Sequence, residues 1–222
     1  MVRSSGNKIK GKAVVLGTGG HSRVVLSLLF SQDKHEIISL FELGEFRTGE
    51  TIMGINVLPF PASLNELKKF KNLDIFLAIG CNKKRKHFWE IISTEAFNTP
   101  NLISSTASID PSVKLGEANI ICSNAFLGPC AQLGNNNLIN TGSIIEHEAK
   151  VGSHCHLAPR SVLAGRSTIH DSCFIGAGAT IIDYIKVPSH TTLGAGGTLI
   201  KSVSKSGQTL VGVPARSISK RA

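Results

Sequence analysis

Residues 139–163 read INTGSIIEHEAKVGSHCHLAPRSVL, and within them an aliphatic side chain returns at every sixth position: Ile139, Ile145, Val151, Leu157 and Leu163. The count continues in both directions. Ile109, Leu115, Ile121, Leu127 and Leu133 precede the stretch, and Ile169, Ile175, Ile181, Val187, Leu193 and Leu199 follow it. Leu, Ile and Val make up about a quarter of the chain, so sixteen consecutive hits lie far beyond chance. Neither an α-helix nor a single strand repeats its apolar residue every six positions, whereas a chain turning a corner every six residues does. The series therefore predicts a parallel β-helix, three segments to a coil, with the aliphatic residues at its corners.

Four residues after each of these positions the side chain is mostly small, as in Ala125, Ala131, Ser143, Ala149, Cys155, Ser161, Ser167, Cys173, Ala179, Thr191 and Gly197. Small residues let successive coils approach until their backbones pair. One coil alone would have no core, so stability comes from stacking. The slots that break the rule are Val113, Asn119, Asn137, Ile185 and Val203, mostly toward the ends of the run, where coils are expected to be atypical.

Composition bounds the rest. A chain of 222 residues with 41% apolar content holds one or two compact domains. No segment approaches the ~20 uninterrupted apolar residues of a membrane span. The basic start MVRSSGNKIKGK is followed by an apolar stretch that breaks at once into glycines, so no secretory signal is expected. Five cysteines without CxxC spacing argue against a disulfide framework or a zinc ribbon, and the cytoplasm is the expected compartment. Cys155 and Cys173, one coil apart in the small slot, read as inert packing. The net charge of +9 is concentrated in the tail, in Lys83-Lys84-Arg85-Lys86 and in Lys220-Arg221. With aromatics at only 5%, that distribution favours a solvated surface or an anionic metabolite over nucleic acid.

The first hundred residues follow another plan. Residues 12–16 read as a buried strand, followed by the turn Gly17-Thr18-Gly19-Gly20-His21 and an apolar helix over 22–30. Strands are predicted at 36–41 and 74–79 and helices at 64–70 and 83–92, the order of a small parallel α/β sheet. Such sheets bind ligands beyond the carboxyl ends of their strands, where GTGGH and Ile79-Gly80-Cys81-Asn82 both fall. A helix start offers free N–H groups and a positive dipole end to phosphate or carboxylate. The motif lacks the third glycine of a dinucleotide fingerprint, and no acid is clearly placed for a ribose, so anion binding is preferred to a nicotinamide role. The domain plan is a basic tail over 1–11, a Rossmann-like substrate-binding domain over 12–103 and a β-helix over 104–222, joined by the short connection 100–105.

The chemical candidates sit in the repeat. His147, in Ile145-Glu146-His147-Glu148, carries the side chain whose unperturbed pKa suits proton abstraction near pH 7. A histidine facing outward near a corner can meet a neighbouring subunit, and a second one half a coil later could face the same cleft from the partner. The alternative, a metal held by histidines between subunits, is disfavoured because His147, His154, His156 and His170 lack close paired spacing.

Taken together, GTGGHS, AIGCN, the hexapeptide run with NTGSIIEHE, and the closing LGAGGTLIK and VGVPAR resemble the bacterial sugar acetyltransferases of the NeuD and PglD type, from residue 12 to residue 216. The resemblance implies a left-handed β-helix in a homotrimer, a Rossmann-like domain for the sugar, and acetyl-CoA bound between subunits without a metal. Handedness comes from the resemblance alone, since crossover rules favour a right-handed turn. By position, His147 matches the family's general base, Glu148 the acid beside it, and Asn140 a polar residue near the acceptor. His156 matches the histidine approaching acetyl-CoA, and Ala164 and Gly165 the backbone facing its thioester. Gly20 and His21 match the loop at the nucleotide or sugar head. Ala195, in the closing motif, and Lys201 fall along the cofactor groove, with Arg216 a further candidate for the coenzyme's phosphates. A hydrogen bond between the sequence neighbours His147 and Glu148 requires corner geometry.

Two departures stand out. Phe41-Glu42 occupies the place where PglD-type enzymes carry two adjacent aspartates, leaving one acid, Glu42, toward the substrate. Ile181-Ile182-Asp183-Tyr184 lacks the Pro-Gly turn common at that point. The implied activity is acetyl-CoA-dependent N-acetylation of a nucleotide-linked 4-amino-deoxysugar in surface glycan synthesis. O-acetylation of a sialic-acid-like nonulosonate is the alternative, and a sugar-binding scaffold without catalysis is the alternative from another class.

Overall fold

The computed structural model describes residues 10–62, 66 and 68–218. The first part is a five-stranded sheet flanked by helices: β1 (Gly11–Leu16), α1 (Gly20–Gln32), β2 (His35–Glu42), β3 (Thr51–Ile52), β4 (Ile55–Pro59), β5 (Asp74–Leu77) and α2 (Asn82–Thr94). The strand order is β3-β4-β2-β1-β5, parallel except for the β3–β4 hairpin. A parallel sheet is covered on both faces, which is why the central strand reads as a continuous apolar run. Ala13 and Val15 pack with Val25, Leu26 and Leu29 of α1; Val14 and Leu16 pack with Ile92 of α2 and Phe97.

The helices and the second strand extend one or two residues beyond their predicted ends, the first strand gains one residue at its start only, and the third predicted strand stops at Leu77. The β3–β4 hairpin was not legible, because its short apolar pairs are interrupted by Met53-Gly54 and Asn56. The helix predicted at 64–70 falls largely outside the described residues, which retain a 3-10 turn at Lys68–Phe70. The basic tail lies outside them up to residue 9, as do Lys220 and Arg221.

The second part is the three-faced parallel β-helix. Among the described residues, a first face stacks Ser108–Ile109, Phe126–Leu127, Ile144–Ile145, Val162–Leu163, Thr180–Ile181 and Thr198–Leu199. A second stacks Lys114–Leu115, Gln132–Leu133, Lys150–Val151, Thr168–Ile169 and Lys186–Val187. A third runs from Leu102–Ile103 through Ile120–Ile121, Leu138–Ile139, His156–Leu157, Phe174–Ile175 and Thr192–Leu193 to Thr209–Val211 and Arg216–Ser217.

The aliphatic series does not sit at the corners, as the period alone suggested. Each member is the second residue of a two-residue strand and points inward, where it is buried from Ile121 through Leu199. The corner lies three residues further on, at a residue with positive φ. This holds at every turn from Ala118 (φ 57°) to Gly196 (φ 64°), and most of these residues are not glycine. A left-handed conformation costs about 1–2 kcal/mol in a residue with a Cβ. It is sustained here because the corner N–H bonds to the coil before it, as in Glu148 to the Pro129 carbonyl (2.8 Å) and His154 to that of Asn135 (2.8 Å).

Asn119 and Asn137 are not irregularities of an end coil. They form a ladder: the Asn119 side-chain oxygen accepts from the Asn137 N–H (2.9 Å), and that of Asn137 from the Cys155 N–H (2.7 Å). Cys155 and Cys173 occupy the interior, both fully buried. The outward residues Leu102, Ile120 and Leu138 of the third face pack with α1 and β1 in one cluster, so the α/β domain covers that face.

Asn137→Ala leaves the buried Cys155 N–H without its acceptor and is expected to destabilise the fold by ~1–3 kcal/mol, measured by chemical denaturation.

Candidate active site

Three strand ends of the α/β sheet converge on a cleft of about 410 Å³ lined by Thr18, Gly20, His21, Glu42, Gly80 and Lys84, among others. Gly17 has φ +107°, and a Cβ there would fall 2.8 Å from the Ala78 carbonyl oxygen, so this glycine is required by the turn. At Gly19 and Gly20 a Cβ would meet nothing within 4 Å, which leaves their backbone open to the cleft. The helix α1 starts there without a side-chain cap and without an acid in its own first turn. The register Leu16↔Phe41 carries Glu42 abreast of this loop, where its carboxylate accepts a hydrogen bond from the Thr18 hydroxyl. Glu42, the acid that the resemblance set toward the substrate, thus lies beside the glycine loop through strand pairing. Phe41 turns the other way, into the core against Phe60 and Phe70.

Below the cleft lies Arg85, 1% exposed. The sequence reading grouped it with a solvated basic cluster. Only Lys83, Lys84 and Lys86 of that cluster escape full burial. A signal was present: Arg85, Phe88, Trp89 and Ile92 recur at helical spacing on the inner side of α2. The guanidinium donates to the carbonyls of Ile79 (3.0 Å) and Gly80 (3.4 Å) on the strand end. It also donates to those of Asn136 (3.2 Å), His154 (3.1 Å) and Cys155 (2.9 Å) on the β-helix, and to the Asn82 side-chain oxygen (2.9 Å). All these acceptors are neutral. Burial pulls its pKa down to about 10, and it remains a cation at neutral pH.

His156 stands on the third face beside this arginine. Its Nδ1 is 3.2 Å from the Gly80 carbonyl oxygen and its Nε2 is 3.4 Å from the Asn140 amide nitrogen, while its ring meets Phe174 edge-on at 5.1 Å. Burial first, and the Arg85 charge second, bring its pKa down to about 4, and the same two causes bring His21 to about 4. Both are neutral near pH 7. The His21 Nε2 is buried without a protein partner. His154 is spent on packing: its Nδ1 meets the Asn136 amide at 2.8 Å and its ring meets Trp89.

His147 lies at another corner, following the first-face strand Ile144–Ile145, with half of its side chain exposed. The positive φ of Glu148 (58°) supplies the corner geometry that lets neighbours meet, and their Nδ1···Oε2 distance is 3.3 Å. The same carboxylate oxygen accepts from Arg166 Nε at 2.8 Å, one coil on. Arg166 in turn bonds the Tyr184 hydroxyl and lies 5.5 Å from that ring's centroid. Tyr184, where a Pro-Gly turn was absent, thus continues an outward column Glu148, Arg166, Tyr184. Hydrogen bonds from His147 first and Arg166 second hold the Glu148 carboxyl below its usual range. A Cβ on Gly165 would fall 2.5 Å from His147 Cε1 and Nε2, so the ring lies against this glycine.

The remaining candidates are backbone or periphery. The Ala164 N–H is committed to the Ile181 carbonyl (2.9 Å). The Ala195 backbone nitrogen packs where a Cβ on Gly176 would lie, 2.5 Å away. Lys201 and Arg216 meet across a cleft of about 310 Å³ at the C-terminal end of the β-helix. The structure therefore brings Gly20, His21, Glu42, His156 and Asn140 into one continuous region through Gly80. It sets His147, Glu148 and Gly165 at the opposite edge of the first face.

Comparison with known proteins agrees with this architecture. Residues 12–92 match the family described as the PglD N-terminal domain. No curated protein sequence matches the chain. Among solved structures, a variant of GDP-perosamine N-acetyltransferase from Caulobacter crescentus, in complex with CoA and GDP-perosamine, is 28% identical. The likeness covers 96% of this chain and 99% of that one, with a TM-score of 0.87. The acetyltransferase domain of PglB from Neisseria gonorrhoeae, in complex with acetyl coenzyme A, is 26% identical over 95% and 100% of the two chains, with a TM-score of 0.86. WeeI from Acinetobacter baumannii, at 22% identity over 93% and 100% with a TM-score of 0.81, shares the fold. The protein is an acyltransferase of the left-handed hexapeptide β-helix class. More narrowly, residues 12–92 carry a PglD-type N-terminal domain.

Gly165→Ala is expected to displace the His147 ring, read as a shift of its imidazole resonances in NMR spectra. The melting temperature should stay within a few degrees, because the ring it displaces is half exposed.

Proposed function

We propose that this protein transfers the acetyl group of acetyl-CoA to the amino group of a nucleotide-linked 4-amino-deoxysugar, with His147 as general base. The observation that carries the reading is the His147 arrangement. With Nδ1–H donated to Glu148, Nε2 carries the lone pair beside Gly165 and takes a proton. The amine nitrogen attacks the thioester carbonyl carbon and yields its proton to Nε2. The C–S bond breaks, and the departing thiolate takes that proton. A backbone N–H at Gly165 stabilises the oxyanion, an interaction worth ~3–4 kcal/mol. The open α1 terminus, Lys84 and the unneutralised Arg85 charge favour the phosphates of a nucleotide in the cleft beside Glu42. Lys201 and Arg216 suit the phosphates of coenzyme A.

The working unit is a trimer. The third face is covered by the α/β domain, and the second carries Lys114, Lys150 and Lys186 outward. The first presents the half-buried column Phe126, Ile144 and Val162. Apolar residues on one face suit a second copy of this chain. His147 and Asn140 flank opposite edges of that same face, so three first faces set around an axis bring His147 of one subunit to Asn140 and His156 of the next.

His147→Ala should lower turnover by ~10²–10⁴-fold while the oligomer persists in analytical ultracentrifugation; full activity in that variant sinks the assignment. The substrate test is coenzyme A release with UDP-, dTDP- and GDP-linked 4-amino sugars against free and CMP-linked nonulosonates. Turnover of a nucleotide amino sugar is expected, and turnover confined to nonulosonates would replace N- with O-acetylation.

A further inference from the structure

We propose that Arg85 is a positioning residue for acetyl transfer: by tying the turn at residues 79–80 to the β-helix, it makes the Gly80 carbonyl hold His156 in its Nδ1–H form. The orientation of the Asn140 amide follows from that proton. The proposal rests on the functional reading above only for its catalytic consequence.

A buried arginine without a carboxylate is costly as a mere fastening, since a neutral side chain avoids desolvating a charge. The use of this one lies in what it joins. Its donors hold Ile79 and Gly80 on one side and His154 and Cys155, the two residues before His156, on the other. The distance between the Gly80 carbonyl and the His156 ring is thereby fixed. A carbonyl only accepts, so His156 Nδ1 carries the hydrogen and, in the neutral ring, Nε2 carries a lone pair. That lone pair accepts from the Asn140 amide nitrogen, while the Asn140 oxygen accepts from the Thr141 N–H at 2.8 Å. Both ends of the amide are then assigned, and its second N–H is left as a donor. Were the hydrogen on Nε2, the amide would flip and present an acceptor in the same place.

The titratable groups facing His156 are Arg85 from α2 and His21 from α1, and both oppose a charge on the ring; from the β-helix it meets Asn140 and Phe174. The neutral form is therefore maintained well below the range in which an open histidine protonates.

The test is the ring nitrogen spectrum of 15N-histidine-labelled full-length protein, with His156 identified by its loss in H156Q. In the wild type the hydrogen should reside on Nδ1 from pH 8 to pH 5. In Arg85→Met the Nε2–H form should appear and the protonation midpoint should rise by about one pH unit, one charge having been removed. Arg85→Lys keeps the charge without the fork, so the ring should stay neutral but lose its single tautomer. The matching kinetic signature is a fall in kcat of about tenfold in Arg85→Met, with KM for acetyl-CoA little changed. A wild-type ring protonated on Nε2, or an Arg85→Lys spectrum identical to wild type, overturns the proposal even if Arg85→Met does not fold. An inactive wild type would overturn the acetyl-transfer reading instead, and the spectrum decides the role of Arg85 in either case.

Discussion

Everything in this protein depends on the hydrogen bonds that join one coil to the next. The Ile144 N–H meets the Ser161 carbonyl at 2.9 Å, and the Val162 N–H meets that of Ala179 at 2.8 Å, a pairing repeated along all three faces. The pairing closes only when coils match in length, so residues stand above their counterparts eighteen positions on until the last step of the third face, Thr192 to Thr209, which is seventeen. Vertical columns follow. Inside, they are aliphatic or small and form the core. Outside, the same rule stacks His147 on Gly165 and draws Glu148, Arg166 and Tyr184 into one line. The His147 corner is a product of the repeat and of its exceptions, since only a glycine in the next coil leaves space for the imidazole.

The second constraint is the union of the two domains. Apolar packing of α1 on the third face supplies contact area, but it does not fix the strand ends to better than a side chain's freedom. Arg85 does, because a guanidinium spans several carbonyls in a rigid plane. Its charge is answered by dipoles alone, so it also biases what surrounds it. It adds to the burial that holds two nearby histidines, His21 and His156, neutral. One residue thus couples the rigidity of the β-helix to the electrostatics of the cleft.

Much of this was legible from the chain alone, and for identifiable reasons. A repeat of six writes itself into sequence because every coil places one aliphatic residue at the same point of the core. Strand, glycine turn and helix are local signals, so the parallel sheet and the strand ends that line its cleft could be read. Some features needed pairing in space. The corner position was misplaced by three residues because the inward aliphatic, not the left-handed residue, carries the periodic signal. Asn119 and Asn137 looked like breaks in the small-residue slot, and their ladder exists only when coils are superposed. Arg85 was hidden by its lysine neighbours, although its apolar spacing with Phe88, Trp89 and Ile92 was there to be read.

By itself, the sequence determined the two-part architecture, the length of the coil and the residue types able to do acyl-transfer chemistry, since each depends on periodicity or on a local turn. The tertiary structure decided which of those residues meet. It separated His147 from His156 and Asn140 across the first face, and it set Glu42 beside the glycine loop. It also buried Arg85 where its charge acts on two histidines. These are facts of register and packing between segments distant in sequence, and the energy of such contacts depends on distances that no one-dimensional pattern contains.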